Sequence, residues 1–166
     1  MNEDGVTLIE LTIIAVVISV LAAMAVPSWL EYLPQLRTKA AVREAVSSLR
    51  EARSLAIAQK VPYGVYFDVA NGTCCLFANT VDPANPFYTD ADSVVTDEKI
   101  GGGVHMGYTT FSNDCVVFDP NGAASGSGAI VMNSENYQSM YTISVLQATG
   151  RVKLHDGYYD MYLQTR

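Results

Sequence analysis

Two hydrophobic periods divide this chain. Residues 6–26 read VTLIELTIIAVVISVLAAMAV, an apolar run without Lys, Arg, His, Asn, Gln or Asp, in which Glu10 is the one ionisable side chain. About 20 apolar residues rising 1.5 Å each cross a hydrocarbon core of roughly 30 Å, so the run is long enough to span a membrane as a helix. Pro27 and Pro34 then interrupt what would otherwise be one long helix, since each removes a backbone donor and favours a kink. Past them, residues 38–59 are amphipathic: Ala41, Val42, Ala45, Val46, Leu49, Ala52, Leu55 and Ala56 recur at three- and four-residue spacing. Arg43, Glu44, Arg50, Glu51 and Arg53 fall mostly on the opposite, solvated side. The small residues on the stripe predict close packing against a sheet.

After Pro62 the period falls to two. Val65, Phe67 and Val69 alternate with Tyr66 and Asp68, which predicts a strand over 63–69. Asn71-Gly72 is a two-residue hairpin signal, because both central positions of a type I′ turn need positive φ, and residues 74–78 return as the second strand. Residues 79–103 are acidic and loop-like, with Pro83, Pro86 and the triplet Gly101-Gly102-Gly103. Further strands are expected at 104–111, 115–118 and 129–132. A last hairpin, 141–147 with 151–154, turns through Ala148-Thr149-Gly150, and the aromatic run 158–162 could add an edge strand. Asp119-Pro120-Asn121-Gly122 reads as a turn. The fold class is therefore α+β: a long N-terminal helix, transmembrane and then amphipathic, packed on a small antiparallel β-sheet domain.

At 166 residues, with one apolar anchor set aside, the chain holds a single globular domain with a core of its own. Only 16% of residues are charged and the net charge is −7, which argues against a surface built as a whole for nucleic acid. Catalysis finds no support: His105 and His155 accompany no nucleophile motif, and neither a P-loop nor a dinucleotide fingerprint is present. No cofactor is implied, and without a CxxC or Cys/His cluster no structural zinc. Asp90, Asp92, Asp97 and Glu98 could gather calcium, but they lack the EF-hand glycine and terminal glutamate, so a solvated loop is the preferred reading. Cys74, Cys75 and Cys115 permit at most one intrachain bridge, and only one of the adjacent pair, which point to opposite faces of a strand, should reach Cys115. Three buried apolar thiols is the alternative.

Glu10 is the anomaly. An acid at the centre of a membrane helix costs on the order of 2.5–3.5 kcal/mol, less near the end where this one sits, and the segment supplies no partner. Ala23-Met24-Ala25 is also the A-x-A pattern of a secretory signal cut before Val26, though the positive n-region of such signals is missing. Gly5-Val6-Thr7-Leu8-Ile9-Glu10-Leu11, followed by the unbroken apolar run and Pro27, resembles the processing site and N-terminal helix of type IV pilins and type II secretion pseudopilins. The resemblance implies that a prepilin peptidase cuts after Gly5 and methylates Val6. It also implies that Glu10 pairs with the terminal amine of a neighbouring subunit, with Pro27 part of the same assembly helix. Two features depart from the pattern: Val6 stands where Phe or Met is usual, and Met1-Asn2-Glu3-Asp4-Gly5 is short and acidic where such leaders carry Lys or Arg. The first basic residues are Arg37 and Lys39, so topology rests on resemblance rather than on charge.

The C-terminal half is similar to the GspH/FimT branch of minor pseudopilins and minor pilins, through Phe118-Asp119-Pro120-Asn121-Gly122, Ile143-Ser144-Val145, Gly150-Arg151-Val152 and the helix segment LREARSLAIA at 49–58. It implies a pilin-like organisation: leader 1–5, N-terminal helix 6–60 with 6–26 in the bacterial inner membrane, and a β domain 61–166 in the periplasm or a filament. The expected partners are other pilin-like subunits, the prepilin peptidase and the inner membrane. The expected role is that of a non-enzymatic subunit that initiates a secretion pseudopilus or type IV pilus or contacts its cargo. Some FimT-like pilins bind DNA through a Gly-Arg-x-Arg segment, which here is Gly150, Arg151, Val152 and Lys153, with Arg166 at the end. Arg151 and Lys153 would share one strand face and could grip phosphates. Lys lacks the bidentate fork, so DNA is the alternative partner rather than the favoured one.

Overall fold

The computed structural model describes residues 6–101 and 103–157, without the side chains of 25–28, 30 and 31. Gly5 and the rest of the expected leader, the run 158–162 and Arg166 lie outside the described residues. The chain divides into two units, Met1–Leu33 and Pro34–Arg166.

Helix α1 is Leu8–Gln59. Neither Pro27 nor Pro34 ends it, contrary to the interruption expected from the sequence, because a proline removes one backbone bond and leaves the turns on either side to hold the helix. Thr38 Oγ1 donates to the Pro34 carbonyl at 2.8 Å. The helix stops where Lys60 turns left-handed at φ 59°, a common C-terminal cap conformation, followed two residues later by Pro62.

In the second unit all strands are antiparallel and form two four-stranded sheets. One has the order β3-β2-β1-β5, with β1 Tyr63–Asp68, β2 Thr73–Ala78, β3 Ser93–Lys99 and β5 Cys115–Phe118. The other has the order β4-β6-β7-β8, with β4 Val104–Thr109, β6 Gly128–Ser134, β7 Met140–Leu146 and β8 Arg151–Asp156. The stripe read from the sequence is the buried face of α1: Val42, Leu49, Ala52 and Ala56 are fully buried, and Leu55 half-buried. It shares one core with Val65, Phe67, Leu76, Val116 and Phe118 of the first sheet and Ile130, Met132, Ile143 and Val145 of the second. Alanines at 41, 45, 52 and 56 let the helix backbone approach both.

Two expectations need correction. The β1–β2 hairpin is not a two-residue turn: Asp68 pairs with Thr73, which leaves four residues in the loop. Only Gly72 among them has positive φ, 66°. Asp68 closes the loop instead, its carboxylate accepting from the Asn71 N–H at 2.9 Å while its carbonyl accepts from the Gly72 N–H at 2.8 Å. Second, the acidic stretch 79–103 is not loop throughout, because β3 forms within it as an edge strand paired to β2. Exposed along most of its length, β3 carries charges suited to a sheet edge and no apolar alternation to betray it.

Candidate functional site

The first surface is the N-terminal helix itself. Thr7 caps α1: the Glu10 N–H donates to Thr7 Oγ1 at 3.3 Å and the Leu11 N–H to the Thr7 carbonyl at 3.2 Å. Thr7-Leu8-Ile9-Glu10 is thus the T-x-x-E pattern of a capping box, and Glu10 sits in the first turn, where the helix dipole favours an acid. That local reason for Glu10 was legible in the sequence but missed there. Thr12 and Ser19 turn their hydroxyls back onto the carbonyls of Ile9 and Ala15, at 2.8 and 2.7 Å. The remaining surface is apolar on every side, with Val6, Leu8, Ile13, Val17, Leu21 and Met24 all more than half exposed. Among the described residues no helix is long and apolar enough to cross a membrane. The first run of described apolar side chains in α1, from Leu8 to Met24, covers about 24 Å against a core of roughly 30 Å.

The second surface arises where three distant segments meet. Gly122 closes the Asp119 turn, its N–H donating to the Asp119 carbonyl at 2.7 Å, and the Ala124 N–H reaches the Gln147 carbonyl at 2.9 Å, tying this turn to the β7–β8 loop. Arg53 on α1 donates from Nε to the Gly122 carbonyl at 3.0 Å. Gly122 and Gly150 have φ of 83° and 58°, and a Cβ on Gly150 would collide with the Gly122 carbonyl oxygen and crowd Arg53. The helix segment at 49–58, the Phe-x-Pro-x-Gly turn and the Gly-Arg-Val turn are therefore parts of one junction. Beside it opens a cleft of about 550 Å³ lined by Arg50, Arg53, Ser54, Ile57 and residues 149–152, with no acidic side chain in its wall.

Arg151 and Lys153 stand two apart on β8, in register with Leu146 and Ser144 of β7, and so share one strand face. Arg151 lines the arginine cleft. Lys153 lies further along β8, paired with Ser144, and neighbours His155, whose Nε2 is 3.0 Å from Ser144 Oγ. Burial first, and then the Lys153 charge, holds the His155 imidazole below its usual pKa. Arg50 and Arg53, read from periodicity as solvated, are the cations that join Arg151. No local signal announces this, because the cleft is assembled from segments about 100 residues apart.

The cysteines are free thiols, all buried. Cys74 faces the core with α1, whereas Cys115 lies on the opposite face of the first sheet with Phe77 and Val117. Cys75 and Cys115 are both in register with Tyr66, on β2 and β5 to either side of β1. Two strand spacings, roughly 9.5 Å, exceed the Cα separation a disulfide spans, so the bridge left open by the sequence is not formed. Burial pushes the Cys74 and Cys115 thiols up to about 12. The acidic loop is likewise dispersed. Asp90 and Asp97 line an outer cleft with Asp68, Asp114 and the stacked rings of Tyr66 and Tyr88, whose centroids are 5.0 Å apart. Asp92 is buried and accepts from the Thr89 N–H and hydroxyl. Glu98 faces α1 on the other side of the sheet, beside Glu44. No group of three or more metal-binding side chains forms among the described residues.

The family described as Type II transport protein GspH matches residues 41–149, well over half of the chain. The chain belongs to the GspH family. No curated protein matches it in sequence. Among solved structures it is similar to the minor pseudopilin EpsH of the Vibrio cholerae type 2 secretion system, at 12% identity and TM-score 0.56, over 72% of this chain and 97% of EpsH. It is similar to the Pseudomonas aeruginosa type IV minor pilin FimU at 14% identity and TM-score 0.58, over 73% of this chain and 90% of FimU. These likenesses show that the GspH-family chain has the pilin-like α+β fold, a long N-terminal helix with an antiparallel β domain. Of the junction, Arg53 and Gly122 fall within the matched residues and Gly150 is the first residue past them.

Proposed function

We propose that this GspH-family chain is a minor pilin-like subunit of a type II secretion pseudopilus or a type IV pilus. In this reading it is cut after Gly5, methylated at Val6 and held in the inner membrane by residues 6–26, with residues 61–166 outside as the globular domain. The single observation that supports it is the apolar surface surrounding α1 from Val6 to Met24. Each Leu, Ile or Val left in water forgoes about 1.5–3 kcal/mol relative to burial, so lipid, or the same helices of neighbouring subunits, must cover it. Glu10 fits the second cover: a carboxylate and a terminal ammonium, each costly alone in a greasy medium, are tolerated where they meet. The work is mechanical, initiating the filament or contacting its cargo.

Mass spectrometry of the protein extracted from membranes tests the reading. A mature chain starting at methylated Val6 is expected; a soluble chain starting at Val26 would overturn it in favour of a cleaved secretory signal. Glu10→Gln keeps the capping-box pattern and removes the charge, so this variant should insert normally and assemble poorly. Wild-type assembly by Glu10→Gln would remove the amine-pairing step.

A further inference from the structure

The arginine cleft draws its charge from one helix flank and one turn. Arg50 and Arg53 stand three apart on α1 and so neighbour each other on its surface, and the turn into β8 brings Arg151 to the same wall. No carboxylate lines that wall, so the three guanidinium groups share it without an anion to offset their repulsion. Arg53 commits its Nε to the Gly122 carbonyl at 3.0 Å. That bond orients the guanidinium in advance, and less freedom is lost when its other N–H groups meet a ligand. The wall is also partly apolar: Ile57 is 38% exposed and Val152 half-buried, and both line the cleft.

This mixture distinguishes between two kinds of anion. Duplex DNA carries one charge about every 1.7 Å of its axis, so it calls for a track of cations. Past the cleft its remaining phosphates would meet a chain of net charge −7, and Ile57 would be left against sugar and phosphate. A carboxylate matches the guanidinium fork with two parallel bonds. In a protein it arrives beside other side chains, and an aliphatic one can cover Ile57.

We propose that the arginine cleft is a docking site for an acidic segment of another protein, in which Asp or Glu residues flank an aliphatic side chain. The carboxylates take Arg50, Arg53 and Arg151, and the aliphatic group covers Ile57 and Val152. Opposite charge selects the segment and steers its approach, while the apolar contact adds affinity that neutral salt does not screen. The site lies wholly within the unit Pro34–Arg166 and uses none of the apolar N-terminal run, so it goes beyond the filament reading and is tested apart from it.

The test titrates the full chain in zwitterionic detergent against rhodamine-labelled Glu-Leu-Glu-Glu, read by fluorescence anisotropy, with Gln-Leu-Gln-Gln, Glu-Gly-Glu-Glu and a short labelled DNA duplex alongside. Glu-Leu-Glu-Glu should bind saturably, Glu-Gly-Glu-Glu several-fold more weakly, and Gln-Leu-Gln-Gln not at all. Arg50→Gln and Arg151→Gln, both at exposed positions, should each weaken Glu-Leu-Glu-Glu about ten-fold, the low end for a hydrogen bond to a charged group. Lys153→Gln removes the same charge from β8 outside the cleft wall and should change the affinity by less than about two-fold, as a screened charge does. Absence of saturable binding of Glu-Leu-Glu-Glu would overturn the proposal. Equal losses in all three variants would mean diffuse attraction to surface charge and would also overturn it, as would equal affinity for Glu-Leu-Glu-Glu and Glu-Gly-Glu-Glu. If the duplex binds more tightly than the peptide and is released by the two arginine variants, the cleft serves phosphates and the proposal falls.

Discussion

Gly150→Ala is the substitution that the junction tolerates least for its size. Gly150 sits at φ 58°, and a Cβ there collides with the Gly122 carbonyl oxygen while crowding the Arg53 side chain. An alanine in the left-handed region costs about 1–2 kcal/mol. The collision is with backbone, which cannot yield by a rotamer change. Relief means moving Gly122, whose carbonyl accepts from Arg53 Nε and whose N–H closes the turn to Asp119. A hydrogen bond to a charged group contributes about 1.5–3 kcal/mol, so the total loss is about 2.5–5 kcal/mol, a large part of the 5–15 kcal/mol typical of a domain. Urea unfolding of the full chain in detergent, followed by near-ultraviolet dichroism of its tyrosines, measures it. Gly126→Ala is the control, because nothing lies within 4 Å of a Cβ built there and its φ is not positive; its midpoint should match wild type. If Gly150→Ala unfolds within about 0.5 kcal/mol of wild type, the range of an ordinary surface change, the three segments are not a mutually locked junction.

Leu49→Ala should lose about 3–5 kcal/mol in the same assay, since Leu49 is fully buried where α1 meets the shared core; a loss below about 1 kcal/mol, well short of that range, would show that the helix is not clamped there. Maleimide at pH 8 should label none of Cys74, Cys75 or Cys115 before unfolding, because the thiols are buried and burial raises the pKa of each. Labelling of the native chain within minutes would contradict the packing around them. Glu98, its pKa raised by burial and by Glu44, binds its proton more tightly folded than unfolded. It therefore withdraws stability as pH rises through and just above the ordinary glutamate range. Glu98→Gln should flatten that part of the stability profile; an unchanged slope would mean the two carboxylates do not interact.

What the sequence disclosed depended on how local the cause was. The stripe from Ala41 to Ala56 and the alternation from Val65 to Phe67 are set by neighbours within a turn or a pleat, and both landed in the core as read. Asn71-Gly72 misled because register outranks a dipeptide signal: pairing Asp68 with Thr73 leaves room for four residues, and the Asp68 carboxylate holds them. Strand β3 was invisible because an edge strand with charges on its exposed faces has no apolar rhythm. The arginine cleft lay beyond any local pattern. Arg53 reads as a solvated helix residue until a turn 69 positions away offers it a carbonyl, and the glycines that permit this look like ordinary turn residues.

The ring of apolar side chains around the N-terminal stretch of α1 has a mechanical corollary. A rod that is greasy in every direction has no preferred azimuth: turning it about its own axis exchanges one aliphatic contact for another at nearly constant free energy. If the helices of neighbouring subunits cover it, as proposed, such a spindle is free to swivel and slip among them, and among the described residues the mark that indexes its angle is the single acid near its tip.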